Sequence, residues 1–308
     1  MQKLSFFSRK PNTCTAVSFI YEFARKSKRG GAYNRTYRNI AQHLGSFEKS
    51  RNVVLLSNMY NDTMCEDFVY YLRSVNLSQN TIRGYLQKVA FMFRKMAKRG
   101  YVVDFSFEEV LIDKDEKVAI YLSEKELSDI LSLNLKKEAE TIRDIFLVGC
   151  YTGMRYSDFS QLTSRNIVNG CIVRKTQKTG EIVQLPIHRV ISKILSKRQG
   201  EFPFYADSTQ NFNKVLKTIC KRAKINENIL LEYHKGNKVI RETKKKYELV
   251  GTHTARRSFA TNAYLAGIPT ASIMLLTGHK TEQSFFQYIR INKSENAKKL
   301  AGHPFFLN

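Results

Sequence analysis

The chain has 308 residues, 43% of them hydrophobic, which is enough for two domains with buried cores and too apolar for global disorder. Lys and Arg total 51 against 27 Asp and Glu, a formal net charge of +24 that points to a polyanionic partner, nucleic acid ahead of a membrane surface. The five cysteines (Cys14, Cys65, Cys150, Cys171, Cys220) are isolated and form no Cys-x-x-Cys metal or redox pair, and no apolar run reaches the roughly 20 residues of a membrane span. Free thiols fit a reducing cytosol, and the N-terminal MQKLSFFSRKPN has too short an apolar run for a secretory signal. A soluble, cytoplasmic protein is expected.

From about Thr13 to Gly100 the pattern is helical with short polar connections. TAVSFIYEFARKSKRGG carries apolar residues at helical spacing and is expected to stop at Gly30 and Gly31. A second helix is expected from Asn34 to His43, ended at Gly45, and a third near Thr63 to Val75. The fourth is the clearest: NTIRGYLQKVAFMFRKMAKRG sets Ile82, Leu86, Val89, Phe93 and Met96 on one stripe. Its other face carries Arg83, Lys88, Lys95, Lys98 and Arg99. Alone, such a face is ordinary solvation; with the charge of the whole chain it reads as a DNA-facing surface. Residues 1–103 are expected to form a small helical clamp on a duplex.

Between Tyr101 and Lys117 the periodicity is lost and the charged run DKDEK appears, so 104–118 is taken as a linker and 119–308 as a second domain. Ser123 and Glu126 have capping-box spacing. A helix from about Ala139 through Tyr151 is followed by Thr152-Gly153, which puts Arg155 just past a turn, with Asp158 three residues on and within reach to orient its guanidinium. From Asn166 to Ile187 the period shifts toward two: a short apolar strand, a Lys-rich strand, a Thr179-Gly180 turn and a return strand ending at Pro186. Lys178 sits at the hairpin tip, and Lys175 is its rival for any chemical role. Helices are expected at about His188–Lys197 and Thr209–Ala223. LEYHKGNKVIRETKKKYELVG reads as a second hairpin or an exposed basic loop.

The last stretch, GTHTARRSFATNAYLAGIPTASIMLLTGHKTEQSFFQYIR, concentrates chemistry. A helix from His253 to Ala266, ended by Gly267, turns His253 and Arg256 the same way, while Phe259, Ala260, Ala263 and Tyr264 fix it to a core. His279 follows a Thr-Gly turn, and Tyr288 stands among apolar neighbours. No Walker-type loop, Rossmann glycine set or clustered histidines appear, so nucleotide hydrolysis, hydride transfer and a zinc site have no visible seat. Phosphodiester cleavage without a metal needs fixed cations for the charge that grows on the non-bridging oxygens, a nucleophile activated by nearby charge or a base, and a proton for the departing oxygen. Arg155, Lys178, His253, Arg256, His279 and Tyr288 supply those groups.

TGMRYSD, the KTG hairpin, HTARRSFATNAYLAG, LLTGHK and the Tyr of FFQYIR resemble, in order and spacing, the tyrosine recombinase (phage integrase-like) family, and the resemblance covers nearly the whole chain. It implies a mainly α fold with small β-hairpins and sheet: an N-terminal helical, SAM-like core-binding domain and an α+β catalytic domain. It implies that Tyr288 attacks a DNA phosphate to give a 3′-phosphotyrosine and a free 5′-hydroxyl, that Arg155 and Arg256 hold the phosphate, that His253 is the general acid/base, that His279 adds a hydrogen bond and that Lys178 protonates the leaving oxygen. No cofactor is implied. The expected partner is double-stranded DNA, bound by a homotetramer on paired sites, with Arg83, Lys88, Lys95, Lys175 and Arg257 as further DNA contacts. The apolar tail PFFLN suits docking on a neighbour, and packing on its own domain stands as the alternative. About a dozen residues precede the first helix, so no arm-binding domain is expected, which favours an invertase or mobile-element enzyme of phage or bacterial origin over an arm-site phage integrase. A catalytically silent DNA-binding protein and a type IB topoisomerase-like relaxing enzyme are the alternatives. The DNA site, and the choice among integration, excision, inversion and dimer resolution, are not encoded in these motifs.

Overall fold

The apolar stripes of the first hundred residues close into a helical unit. Its helices are α1 (Ala16–Lys26), α2 (Gly31–Arg51), α3 (Asp62–Ser74) and α4 (Gln79–Ala97), and they bury Ile20, Ile40, Leu44, Phe47, Phe68, Ile82, Val89 and Phe93 together. The starts of α3 and α4 are fixed locally: Asn61 accepts from the Met64 amide and Ser78 from the Thr81 amide. The computed structural model describes residues 12–116 and 118–290, with Ala297, Leu300, Ala301 and Phe306 beyond them. Most of MQKLSFFSRKPN, and Pro304, Phe305, Leu307 and Asn308 of the tail, lie outside the described residues; Phe306 is 59% exposed.

Two sequence expectations fail in this unit. Gly31 opens α2 instead of closing α1, and Gly45 does not end α2, which runs on to Arg51 and stops at Asn52 in the left-handed conformation (φ 52°). Gly45 faces Val17 of α1, and Phe47 beyond it is fully buried, so packing overrides the helix-breaking preference of glycine. The stretch taken as a linker carries a 3₁₀ turn at Ser106–Glu109 and buries Phe107 and Ile112 in the same core.

The chain divides into compact units of Met1–Lys117 with Leu231–Glu242, and Val118–Leu230 with Thr243–Asn308. The outer part of the second hairpin thus belongs with the helical unit. There the Gly236 amide donates to the Leu77 carbonyl (2.9 Å), and the His234 amide donates to Asp115 Oδ2 (2.8 Å). Gly236 has φ +58° and a Cβ would meet the Arg73 carbonyl at 2.9 Å, so the turn demands glycine.

In the second unit, α5 (Glu124–Ser132) begins with the expected Ser123–Glu126 capping box. Then come α6 (Lys137–Thr152), α7 (Tyr156–Phe159), β1 (Ile167–Val168), β2 (Cys171–Lys175), β3 (Ile182–Pro186), α8 (Arg189–Lys197) and α9 (Thr209–Arg222). β4 (Asn228–Lys235) pairs with β5 (Lys238–Lys245), followed by α10 (Lys246–Leu249), α11 (Thr252–Leu265), α12 (Thr270–Thr277) and α13 (Glu282–Phe286). β1, β2 and β3 form an antiparallel sheet in that order. Every residue of α6 from Ile142 to Thr152 is buried, which makes it the central helix that α8, α9 and α11 pack around. The fold is mainly helical with small antiparallel sheets, as the resemblance implied. Among the described residues no helix is long and apolar enough to cross a membrane.

Candidate active site

The site grows from the meeting of α6 and α11. α6 ends at Gly153 in the left-handed conformation (φ 65°), and a Cβ there would lie 2.3 Å from Phe259 on α11. Only glycine permits both the backbone angle and the approach. The approach lets the Gly153 carbonyl accept from Arg256 Nη1 at 2.8 Å. Two residues on, Arg155 caps α7, and its Nη1 is buried with no hydrogen-bond partner.

Asp158 does not orient Arg155 as its spacing suggested. It is fully buried, its Oδ1 accepts from the Gln177 amide at 2.9 Å, and its Oδ2 has no partner. The carboxylate therefore ties α7 to the β2–β3 tip. A helix-based pair at i, i+3 is only a possibility of geometry, and here a backbone amide from another element competes for the oxygen. Lys178 follows Gln177 and is exposed at that tip, whereas Lys175 is the last residue of β2, across from Ile182.

Arg256 is 1% exposed. Its Nη2 lies 2.9 Å from His279 Nε2, while His279 Nδ1 lies 2.7 Å from Thr277 Oγ1, and that hydroxyl donates to the Ile273 carbonyl. A guanidinium only donates, so Nε2 must accept and the imidazole carries its proton on Nδ1, donating to Thr277. Burial, then the charges of Arg256 and Arg155, hold the His279 imidazole down to about 3, in keeping with a neutral acceptor. The Arg256 guanidinium is itself brought down to about 10, by burial and then by Arg155, and stays protonated at neutral pH.

Tyr288 stands just beyond α13. Its ring lies 4.9 Å from the His279 ring and 5.2 Å from the Arg256 guanidinium carbon, centroid distances that mark direct packing. Thr261 on α11 fixes this segment: its hydroxyl donates to the Tyr288 carbonyl (3.3 Å) and accepts from the Arg290 amide (3.1 Å). Below it, Ala260, Ala263, Ile273 and Phe285 form a small buried cluster. His253 opens to solvent in the first turn of α11, yet its surroundings crowd it. Burial, followed by Arg257, Arg256, Arg155 and Lys178, lowers its pKa.

The structure thus brings Arg155, His253, Arg256, His279 and Tyr288 together in one chain, with the Lys178 charge felt at His253 and the tip tethered by Asp158. Of the other sequence candidates, Arg257 borders the same site. Arg83 donates to the Ile112 carbonyl, Lys88 to the Gly84 carbonyl, and Lys95 lies over Phe23 and Phe91, all in the helical unit. Lys95 shares a cleft with Lys26, Lys28, Arg29 and Arg99. Thr261, Thr277 and Arg290 were not singled out by sequence; a Thr and an Arg near known motifs give no local signal. Among the described residues no group of His, Cys, Asp and Glu is placed to hold a metal ion.

Comparison with known proteins adds to this geometry. The sequence profile of the phage integrase family matches residues 121–295, and that of the phage integrase SAM-like domain matches residues 15–127. No curated protein matches the chain in sequence. Among solved structures, it is similar to a lambda integrase dimer bound to a COC′ core site, at 15% identity over 93% of this chain and 82% of that one (TM-score 0.65). It is also similar to the XerH site-specific recombinase bound to palindromic difH substrate, at 18% identity over 93% and 84% (TM-score 0.64). A third likeness is to residues 82–397 of the Tn1549 transposon integrase in complex with circular intermediate DNA, at 16% identity over 92% and 98% (TM-score 0.60). These likenesses speak for the fold, and the catalytic-region profile spans more than half of the sequence. The chain belongs to the phage integrase family, the tyrosine recombinases, enzymes that cleave and rejoin DNA.

Proposed function

We propose that the protein is a site-specific recombinase that uses Tyr288 as its nucleophile, acting in cis on a phosphate held by its own Arg155 and Arg256. The observation that carries the reading is the pair of buried guanidinium nitrogens without a partner among the described residues, Arg155 Nη1 and Arg256 Nε, with the Arg256 guanidinium packed against the Tyr288 ring. Buried N–H groups without acceptors are costly, and a phosphate oxygen is the acceptor that their forked geometry fits. Tyr288 Oη attacks phosphorus as His253, largely neutral because its pKa is lowered, takes the phenolic proton. The P–O5′ bond breaks, Lys178 gives a proton to O5′, and a 3′-phosphotyrosine remains. A 5′-hydroxyl of a partner strand then attacks the phosphotyrosine and restores the tyrosine. The phosphoester energy is kept in the covalent intermediate, so the scheme calls for neither ATP nor a metal.

His279, neutral and accepting from Arg256, serves first to hold that guanidinium in place. The helical unit, with Lys26, Lys28, Arg29, Lys95 and Arg99 around one cleft, supplies duplex backbone contacts, and Lys88, Lys175 and Arg257 extend them. Exchange needs paired sites, hence a homotetramer on double-stranded DNA, with the C-terminal tail as the docking element between subunits. The working compartment is the cytoplasm, where the DNA is. The deciding experiment is covalent trapping: express wild type and Tyr288→Phe, denature rapidly, and sequence the ends of protein-linked DNA. Adducts in the wild type alone are expected, and they reveal the target site. Adducts that persist in the variant would remove Tyr288 from the role.

A further inference from the structure

One part of the site is not used by the chemistry above. Arg257 follows Arg256 on α11, and Thr261 lies one turn further along the same face. The Thr261 hydroxyl accepts from the Arg290 amide, so the Arg290 side chain starts from the turn of α11 next to Arg257, two residues past Tyr288. Both arginines are half-buried, neither has an ion-pair or hydrogen-bonded acidic partner among the described residues, and Arg290 Nε is buried with no partner at all. Their charges act on each other. Burial, and next the Arg290 charge, lower the Arg257 pKa, with Tyr288 opposing.

Two desolvated guanidiniums whose charges repel, with no acid to offset them, destabilise the fold that holds them. Away from the candidate site, enclosed cations of this unit meet acids: buried Lys246 meets Glu126, and half-buried Arg198 meets Asp144. Among the described residues Arg257 and Arg290 lack that compensation, and they stand next to Arg256 and two residues past Tyr288 in the chain. Successive phosphates of one strand advance about 3.4 Å along the duplex axis, so a strand gripped by Arg155 and Arg256 presents its next phosphate close by.

We propose that Arg257 and Arg290 form a second anion site beside Tyr288, which holds the DNA backbone phosphate adjacent to the scissile one and so fixes the strand relative to the nucleophile. Forked donors on two guanidiniums fit the non-bridging oxygens of one phosphodiester. The site carries no chemistry of its own; it sets where the strand lies relative to the nucleophile.

The inference rests on the proposed cleavage reaction, and its test is built to fail separately from it. Duplexes carrying the mapped site are made with a neutral methylphosphonate at the phosphate on either side of the scissile one. Single-turnover cleavage is measured for wild type, Arg257→Gln and Arg290→Gln. Loss of a charge-assisted contact is expected to lower wild-type cleavage roughly tenfold or more at one of the two positions. Against the unmodified site the variants should be slowed by a similar factor, and the methylphosphonate should slow them little further. Arg290→Lys, which keeps the charge and loses the fork, should fall between and carries the test if the glutamine variants do not fold. If the methylphosphonate slows variants and wild type by the same factor, or slows the wild type at neither position, the second site is overturned. If the wild type cleaves no duplex at all, the cleavage reading itself has failed.

Discussion

Two buried arginines in the catalytic unit, Arg143 and Arg256, are 6% and 1% exposed, yet their surroundings are opposite. Arg143 on α6 gives Nε and Nη2 to Asp144 Oδ1 (2.9 and 2.8 Å) and Nη1 to the Leu133 carbonyl (2.8 Å), and Asp144 is shared with Arg198. Arg256 on α11 meets one carbonyl and one neutral imidazole, with Nε left over and no ion-paired carboxylate among the described residues. The first charge is cancelled inside the protein and holds helices together. The second is oriented but not cancelled, and that leaves its field for an incoming anion.

The sharpest way to break this comparison is to remove each charge. Arg256→Gln should lower single-turnover cleavage by roughly a hundredfold to a thousandfold, the cost of losing one preorganised charge donor. Its melting temperature should hold or rise, because an uncompensated buried cation has gone. Arg143→Met should do the reverse: denaturant unfolding should show a loss of about 3 kcal/mol as Asp144 keeps only part of its compensation, with cleavage per folded molecule unchanged. If both variants lose stability alike, the distinction between the arginines fails.

A smaller effect is expected at Asp158, the buried carboxylate that serves the hairpin tip and not the neighbouring Arg155. Asp158→Asn should slow cleavage by about tenfold, because it loosens the hairpin tip that carries Lys178, the proposed proton donor to the leaving oxygen. A substrate with sulfur in place of O5′, whose thiolate leaves without a proton, should erase most of that deficit. A deficit that survives the sulfur substitution would mean that Asp158 acts elsewhere.

A further effect is in pH. His279 is held down to about 3, whereas an unfolded imidazole titrates at about 6.5, so in that window the unfolded chain binds the extra proton. The stabilisation is therefore present above about pH 6.5 and is lost as pH falls toward 3. His253, also lowered, acts in the same direction. Melting curves between pH 4 and 7 should show this slope, and His279→Asn should flatten it. A melting temperature that rises on acidification would contradict the neutral-acceptor assignment.

Much of this protein was legible in the sequence because much of it is local. The period of α4, the Ser123 capping box, the Thr179-Gly180 hairpin and the Gly153 and Gly267 stops each follow from a few neighbouring residues. Arg155, Lys178, His253, Arg256, His279 and Tyr288 could be proposed from the sequence because phosphoryl chemistry needs cations, a base and a hydroxyl, and because their motifs resemble one family in order and spacing. Where a helix end was misplaced, distant partners decided the outcome. Gly45 sits inside a helix because Val17 and the burial of Phe47 make it worthwhile. The stretch read as a linker is anchored by Phe107 and Ile112, and residues 231–242 join the helical unit.

The sequence by itself determined the fold class, the helical periods and the chemical vocabulary of the site. Only the tertiary structure decided who pairs with whom: Asp158 with Gln177, Arg256 with Gly153 and His279, Thr261 with Tyr288 and Arg290. The physical reason is that secondary structure answers to residues a turn away, whereas a buried polar group takes whichever partner the packing of remote elements brings within 3 Å or so, and a charge left without one is recognised only when every neighbour is in place.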